Sequence, residues 1–367
     1  MLRRIFAPIL TFILIVGVGA AIYMSASEQF NTMNVEQAKG LSGSEKLPFF
    51  QDQRTAKALA KSPHQIAAEV EKAGSRQIAT SYNLSQYDFA FPAGIHAAEK
   101  IKRESNIRTS FQPFFTPMVI ASWRPIADIL IKNQIVKKRD NVFYITDMAK
   151  LFQLIINKTR WKELKGSDKY PANKTVLITT TDIRKSNSAA MYLAIASYVL
   201  NNNNIVQNDN QAKAIINQLA SLFMRQGFTE NSSAVPFQDY LVMGPGKTPM
   251  VMIYESQFLH EAAKVDSAIN DDMVLLYPEP TLFTKHVLVP FNDKGTRLGE
   301  ALKNDETLQK IATEYGLRTD NIKLFKNFIK TSKLSVPSSL VNVIDAPTFE
   351  VLENMIQMIE LQYNHNI

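Results

Sequence analysis

Cysteine is absent from this 367-residue chain. Its absence excludes disulfides, thiolate zinc sites, iron–sulfur clusters and a cysteine nucleophile. It also excludes lipid attachment at a cysteine behind a signal sequence. Histidine is scarce: His64, His96, His260, His286 and His365 are dispersed and lack metal-ligand spacing. No metal site and no cofactor is therefore expected. Thirteen Gly and sixteen Pro are too few for a collagen-like or low-complexity chain. A clustered basic stripe is missing too. The net charge of +7 comes from scattered Lys and Arg, so nucleic acid is not the expected partner. The mild bias suits an acidic ligand or an anionic membrane surface and demands neither. Apolar residues make up 46% and charged residues 20%, which is ordinary for a globular protein of two to three compact lobes.

Long hydrophobic runs are rare, with one exception. Arg3 and Arg4 precede an uncharged run from Ile5 to Met24, and the first acidic residue is Glu28. A helix of this length spans ~30 Å, about one hydrocarbon core. The leading positive charge keeps the N-terminus in the cytoplasm and sends the rest across. Residues 1–27 therefore read as a signal peptide or a transmembrane anchor, with Val18-Gly19-Ala20 a weak cleavage site. A buried core helix is the third reading. Either export reading places the remainder in the periplasm, held to the inner membrane by residues 5–24 if the segment is retained. No second run follows, so the chain is not a polytopic transporter.

Beyond a short polar linker, strand-like and helix-like segments alternate. Strands are expected at 35–41, 65–70, 87–91, 118–122, 175–179, 251–254 and 273–277. Helices are expected at 52–61, 95–104, 125–132, 188–200, 211–226, 255–264 and 348–363. This alternation predicts an α/β fold with a mostly parallel sheet.

Several motifs fail on inspection. Gly244-Pro245-Gly246-Lys247-Thr248 resembles the end of a phosphate-binding loop. Leu241 stands where that pattern needs its first glycine, and Pro249 with a strand follows where a helix is required. It reads as a turn before a strand. His260-Glu261 opens a metalloprotease-like motif whose second histidine position is Lys264. Gly40-Leu41-Ser42-Gly43-Ser44 falls one glycine short of a nucleophile elbow. A serine hydrolase would need a base brought near Ser44 or Ser256 by the fold.

What remains is a set of hydroxyl-rich turns, each where a strand ends and a helix begins. They are Ser42-Gly43-Ser44-Glu45-Lys46, Gly74-Ser75-Arg76, Thr180-Thr181-Asp182 running on to Ser186-Asn187-Ser188, and Tyr254-Glu255-Ser256-Gln257. Open α/β sheets bind ligands outside the carboxyl ends of their strands. Helix N-termini there offer free N–H groups and partial positive charge to an oxyanion. Each hydroxyl alone is equally an ordinary helix cap, Ser186 and Ser188 above all. Arg76 is either a fork for an acidic group or a solvated surface arginine.

Segments spread over roughly residues 35–290 carry a resemblance. They are Gly43-Ser44-Glu45-Lys46 with Pro48-Phe49-Phe50, Ala73-Gly74-Ser75-Arg76, and Tyr87-Asp88-Phe89-Ala90-Phe91-Pro92-Ala93-Gly94. Pro117-Met118-Val119-Ile120-Ala121-Ser122-Trp123, Val251-Met252-Ile253-Tyr254-Glu255-Ser256 and Leu276-Tyr277-Pro278-Glu279-Pro280-Thr281 follow in order. In that order the chain resembles bacterial periplasmic solute-binding proteins of the type II, two-lobed class that serve ABC-type uptake.

The resemblance implies two α/β lobes joined by crossings near Phe115–Val119 and Tyr277–Thr281, which in this chain would follow the N-terminal hydrophobic helix. Lobe 1 would comprise residues 28–116 and 279–367, with the C-terminal helices rejoining it, and lobe 2 residues 117–278. Ser44 and Ser75 would be ligand contacts from lobe 1. Ser122, Ser188 and Tyr254 would be contacts from lobe 2, with Trp123 lining the cleft or serving the core. Arg76 and Ser256 complete the candidate ligand-binding set, and no catalytic residue is assigned. The expected function is extracytoplasmic binding of a small solute, an anion among the candidates, with hinge closure and delivery to an inner-membrane permease or another membrane complex. A membrane-anchored sensor or interaction module, and a serine-type hydrolase, are the alternatives.

Overall fold

The computed structural model describes residues 34–226, 229–340 and 342–365. The hydrophobic segment and the question of its cleavage lie outside the described residues. Among the described residues, no helix is long and apolar enough to cross a membrane.

Among the described residues, nine strands form one continuous sheet: β1 (Glu36–Ser42), β2 (Ile66–Lys72), β3 (Phe89–Phe91), β4 (Phe111–Trp123), β5 (Val136–Arg139), β6 (Val142–Ile145), β7 (Met250–Tyr254), β8 (Met273–Pro278) and β9 (Phe283–Pro290). Their order is β2-β1-β3-β9-β4-β8-β6-β5, and β7 pairs with β4 off this path. The helices are α1 (Leu47–Gln51), α2 (Gln53–Ala60), α3 (Ser75–Thr80), α4 (Ile95–Glu104), α5 (Arg124–Lys132), α6 (Met148–Ile156), α7 (Asn187–Leu200), α8 (Asp209–Phe223), α9 (Ala234–Met243), α10 (Glu255–Ala262), α11 (Asp293–Asn304), α12 (Glu306–Glu314), α13 (Ile322–Thr331) and α14 (Phe349–His365).

The strand β4 carries the division of the molecule. Its first half, to Pro117, pairs with β9; from Met118 it pairs with β7 and β8. The chain crosses back between β8 and β9 through Glu279-Pro280-Thr281-Leu282. Around the first half of the sheet, neighbouring residues of one strand feed opposite faces. Leu288 lies in the core beneath α2, α11 and α12, whereas Val287 and Val289 lie in the core beneath α3 and α4. Around the second half lies one larger core, which takes in Ala189–Ala196 and Val199 of α7. Twelve of the fourteen residues of α7 are buried, which is why its sequence reads as apolar all round.

Three expectations are corrected. The sheet is mixed: β1–β2, β1–β3 and β6–β8 are parallel, and the remaining pairs are antiparallel. Crossing strands and the β5–β6 hairpin reverse the direction that the βα alternation suggests. Residues 175–179 form no strand; Thr175 and Thr179 make only isolated bridges, to Arg160 and Val251. The C-terminal helices do not all return to lobe 1. Helices α11 and α12 do, but Val351, Leu352, Met355, Ile356 and Ile359 of α14 join the second core. Asn354 of α14 donates to Asp209 of α8 at 3.0 Å, fixing that placement.

Candidate functional site

Parallel pairing of β1 with β2 puts Ser42 beside Lys72 at the same sheet edge. The turns that follow, Gly43-Ser44 and Gly74-Ser75, therefore emerge side by side at the strands' carboxyl ends. Across from them stand the start of α7, the segment Glu230–Ser233 leading into α9, and Tyr254 at the end of β7. Together they line a cavity of about 320 Å³.

The side chains around this cavity are set as donors. Ser75 Oγ accepts the Ala93 N–H at 2.8 Å, which leaves its own hydrogen free to donate. Asn187 Nδ2 donates to the Tyr254 hydroxyl at 3.1 Å, leaving the phenolic hydrogen free likewise. Burial and the nearby Glu45 carboxylate raise the Tyr254 phenol well above its ordinary pKa, so it stays protonated. Helix α7 begins without a side-chain cap. By contrast, Asp52, Asp147, Asn208, Asn292 and Asp305 cap α2, α6, α8, α11 and α12. The first turn of α7 thus keeps free N–H groups beside Ser186 and Asn187, where the helix dipole places partial positive charge.

Two glycines allow the close approach. Gly94 has φ +96°, and a Cβ there would meet Asn187 Oδ1 at 2.6 Å. Gly74 brings the first lobe's turn against the Lys185 carbonyl, which a Cβ would meet at 2.5 Å. Ser44 Oγ and Ser232 Oγ are hydrogen-bonded at 2.7 Å, joining the two sides directly.

A buried charge cluster supports the Ser44 turn. Lys46 Nζ lies 2.5 Å from Glu45 Oε1 and 3.0 Å from His286 Nδ1. The side chains of Glu45, Lys46 and His286 are almost wholly enclosed. Burial raises the Glu45 carboxyl, but the Lys46 ammonium and the His286 hydrogen bond outweigh it and hold it far below the usual range. Burial and the Lys46 charge lower His286 to about 4. The other ring nitrogen of His286, Nε2, is buried and has no partner. Glu45 therefore reaches the cavity with its charge already matched by Lys46. Lys72 and Glu230, of opposite sign, stand at the cavity's rim.

Of the expected ligand contacts, the structure brings Ser44, Ser75 and Tyr254 to this cavity. The other five fall elsewhere. Arg76 spends its fork on Glu353 at 2.8 and 2.7 Å and also donates to the Arg184 carbonyl. Ser122 donates to the Pro249 carbonyl at 2.8 Å, and Trp123 Nε1 to the Thr248 carbonyl at 3.0 Å. Both hold the 244–249 turn against β4. Ser188 is buried behind the lining, bonded to Thr181 and Ser186. Ser256 lies in a neighbouring cavity. Ser44 Oγ is engaged by Ser232 and Ser256 Oγ has no partner, so neither hydroxyl is bonded to a histidine. Asn187, Ser232, Ser233 and the Glu45–Lys46–His286 cluster were not among the expected contacts. Asn187 sits in the expected third turn. Ser232-Ser233, four residues before Pro236 of an apolar helix, carries a helix-start signal. For His286, no local pattern announces the cluster.

No family model and no curated protein matches the chain. Solved structures do. The sulfate-binding protein SubI from Mycobacterium tuberculosis H37Rv has a TM-score of 0.51 at 10% identity, over 89% of this chain and 98% of its own. The substrate-binding protein of an ABC transporter from Agrobacterium tumefaciens has 0.52 at 12%, over 90% and 96%. An ABC-transporter solute-binding protein from Thermotoga lettingae, bound with α-D-tagatose, has 0.51 at 13%, over 89% and 93%. The chain has the two-lobed fold of the periplasmic binding proteins. At these identities the likeness is one of fold, and the expected α/β, type II architecture is the one observed.

Proposed function

We propose that the chain is an extracytoplasmic binding protein that holds a small anionic solute in the cavity between its lobes and presents it to a membrane permease. The observation that carries this reading is the donor set of the cavity. Ser75, Tyr254 and the uncapped first turn of α7 all offer hydrogens and converge from opposite sides. An acceptor-rich solute satisfies them at once. Micromolar affinity corresponds to about −8 kcal/mol, within reach of a few charge-assisted hydrogen bonds. The lobes are taken as residues 28–116 with 279–367, and 117–278, with α14 seated on lobe 2. Hinge closure then shifts an open–closed equilibrium as solute bridges the lobes. Binding without chemistry is favoured because no base engages Ser44 or Ser256. The fold shared with binding proteins of ABC transporters supports a periplasmic location and a permease partner.

A thermal-shift series tests the reading, with the full chain and sulfate, phosphate, short carboxylic acids, amino acids and sugars. At a hundredfold excess over Kd, a solute adds about 2.7 kcal/mol of stability. An upward shift confined to anionic members is the expected outcome. A flat response across the panel, or a response to neutral sugars alone, would overturn it.

A further inference from the structure

A second cavity, of about 240 Å³, shares Ser44 and Glu45 with the first. The Ser44–Ser232 hydrogen bond stands at their junction. The chemistry changes across it. The first cavity is walled mainly by hydroxyls, amides and glycines, with Glu45, Lys72 and Glu230 beside them. The second sets Pro48, Ala234, Phe237, Leu241 and Tyr315 beside Gln238 and Gln257. The His260 ring stacks on Tyr315 with centroids 4.5 Å apart, and burial lowers its pKa, so it adds a flat neutral wall. Glu261 and Lys264 at the rim are paired with each other at 2.6 Å.

One of its polar groups is left without a partner. Ser256 is 1% exposed, lines the second cavity, and its Oγ has no hydrogen-bond partner. A buried hydroxyl without a partner is disfavoured, and bound ligand or water is the usual remedy. The size also discriminates, since an apolar cavity of about 150 Å³ already takes a benzene ring. A bare inorganic oxyanion held by the donors of the first cavity would leave the second, with its hydroxyl, unused.

We propose that the two cavities form one bipartite site for a small organic anion. Its anionic group lies among the donors of the first cavity, and a neutral, ring-sized arm that can hydrogen-bond to Ser256 lies in the second. The link between head and arm passes Ser44 and Ser232, whose hydroxyls turn from each other to the ligand. This inference rests on the solute-binding reading above and narrows its ligand class.

Calorimetric titration of the full chain separates the two claims. The probes are inorganic sulfate, neutral 4-methylphenol, and the anions phenylacetate, 4-hydroxyphenylacetate and 3-phenylpropionate. The best aromatic anion should bind at least tenfold more tightly than sulfate or 4-methylphenol. Ala234→Phe, which fills the second cavity, should erase that advantage and leave any sulfate binding within twofold. Leu241→Trp makes the same test should the first variant fail to fold. Sulfate binding as tightly as the aromatic anions would overturn the bipartite site while leaving solute binding intact. Equal binding of 4-methylphenol would overturn the role of the anionic head. Silence from every probe would overturn both readings together.

Discussion

Tyr254 illustrates how one hydroxyl acquires a direction. Asn187 occupies its acceptor side, and burial keeps the phenol protonated, so its hydrogen is left for a solute. Tyr254→Phe removes that donor with little change of shape. A hydrogen bond to a charged group contributes about 1.5–3 kcal/mol, so the Kd for the bound anion should rise roughly 10- to 100-fold by calorimetry. An unchanged Kd would remove Tyr254 from the site. His286 gives a pH prediction. Its folded pKa, about 4, lies below the ordinary value near 6.5, so the unfolded chain binds more protons between those limits. Stability is therefore full above about pH 6.5 and falls as the pH drops toward 4. Glu45 adds to the loss at the acid end, because its carboxylate is held ionised only in the fold. His286→Gln should flatten the stability slope between pH 4 and 6.5 by up to about 1.4 kcal/mol per pH unit. Urea midpoints across that range provide the check. Among single residues, Ser44 and Ser75 meet because the parallel strands β1 and β2 end at one edge, and Tyr254 faces them from the end of β7. Ser122 and Trp123 close a strand too, but β4 is antiparallel to β7, so its end lies against the 244–249 turn, away from Tyr254.

Elements were easier to read than their partners. The apolar stripe of α14 announced a packed helix, yet nothing in its spacing says which core receives it. Hydrogen bonds to α8 and the burial of Met355, Ile356 and Ile359 decide that. Met355→Ala should cost about 2–5 kcal/mol of stability, as buried Met truncations do, whereas a helix packed only as an appendage would tolerate it. The N-terminus of α10 carries a second test. Glu255 is fully buried and takes both Arg318 Nε at 2.7 Å and Nη2 at 2.8 Å, while Tyr277 donates to it at 2.6 Å. The residues that meet here are far apart in sequence, so the pairing was invisible before the fold. Arg318→Met strands a buried carboxylate and should destabilise the protein by about 3–5 kcal/mol in urea unfolding. A loss under 1 kcal/mol would contradict the assignment. The segment 175–179 shows the opposite failure. Its β-branched residues read as a strand, but only isolated bridges form, Thr175 with Arg160 and Thr179 with Val251 of β7.

At the scale of the whole molecule, two crossings and a clasp join the two parts of the sheet. The chain passes between the lobes within β4 and again between β8 and β9. Away from these crossings, Arg76 holds Glu353 and Arg103 holds Glu350 at 2.9 Å, each linking lobe 1 to α14 on lobe 2. Arg76→Gln should shift the solute-free protein toward the open form. Small-angle scattering should then give a larger radius of gyration than wild type, reduced again by solute. Because apparent Kd scales inversely with the closed fraction, affinity should weaken in step. The α/β class was readable from alternating elements and the two-lobed outline from the resemblance, whereas strand direction was not, since crossing strands are set by tertiary pairing. The central claim is that this cleft carries a small solute. Native mass spectrometry of the full chain, purified without denaturation, tests it most directly. The account predicts a discrete added mass, released on unfolding and lost in Tyr254→Phe. A bare chain mass, with no mass added by any anion of the panel, would contradict it.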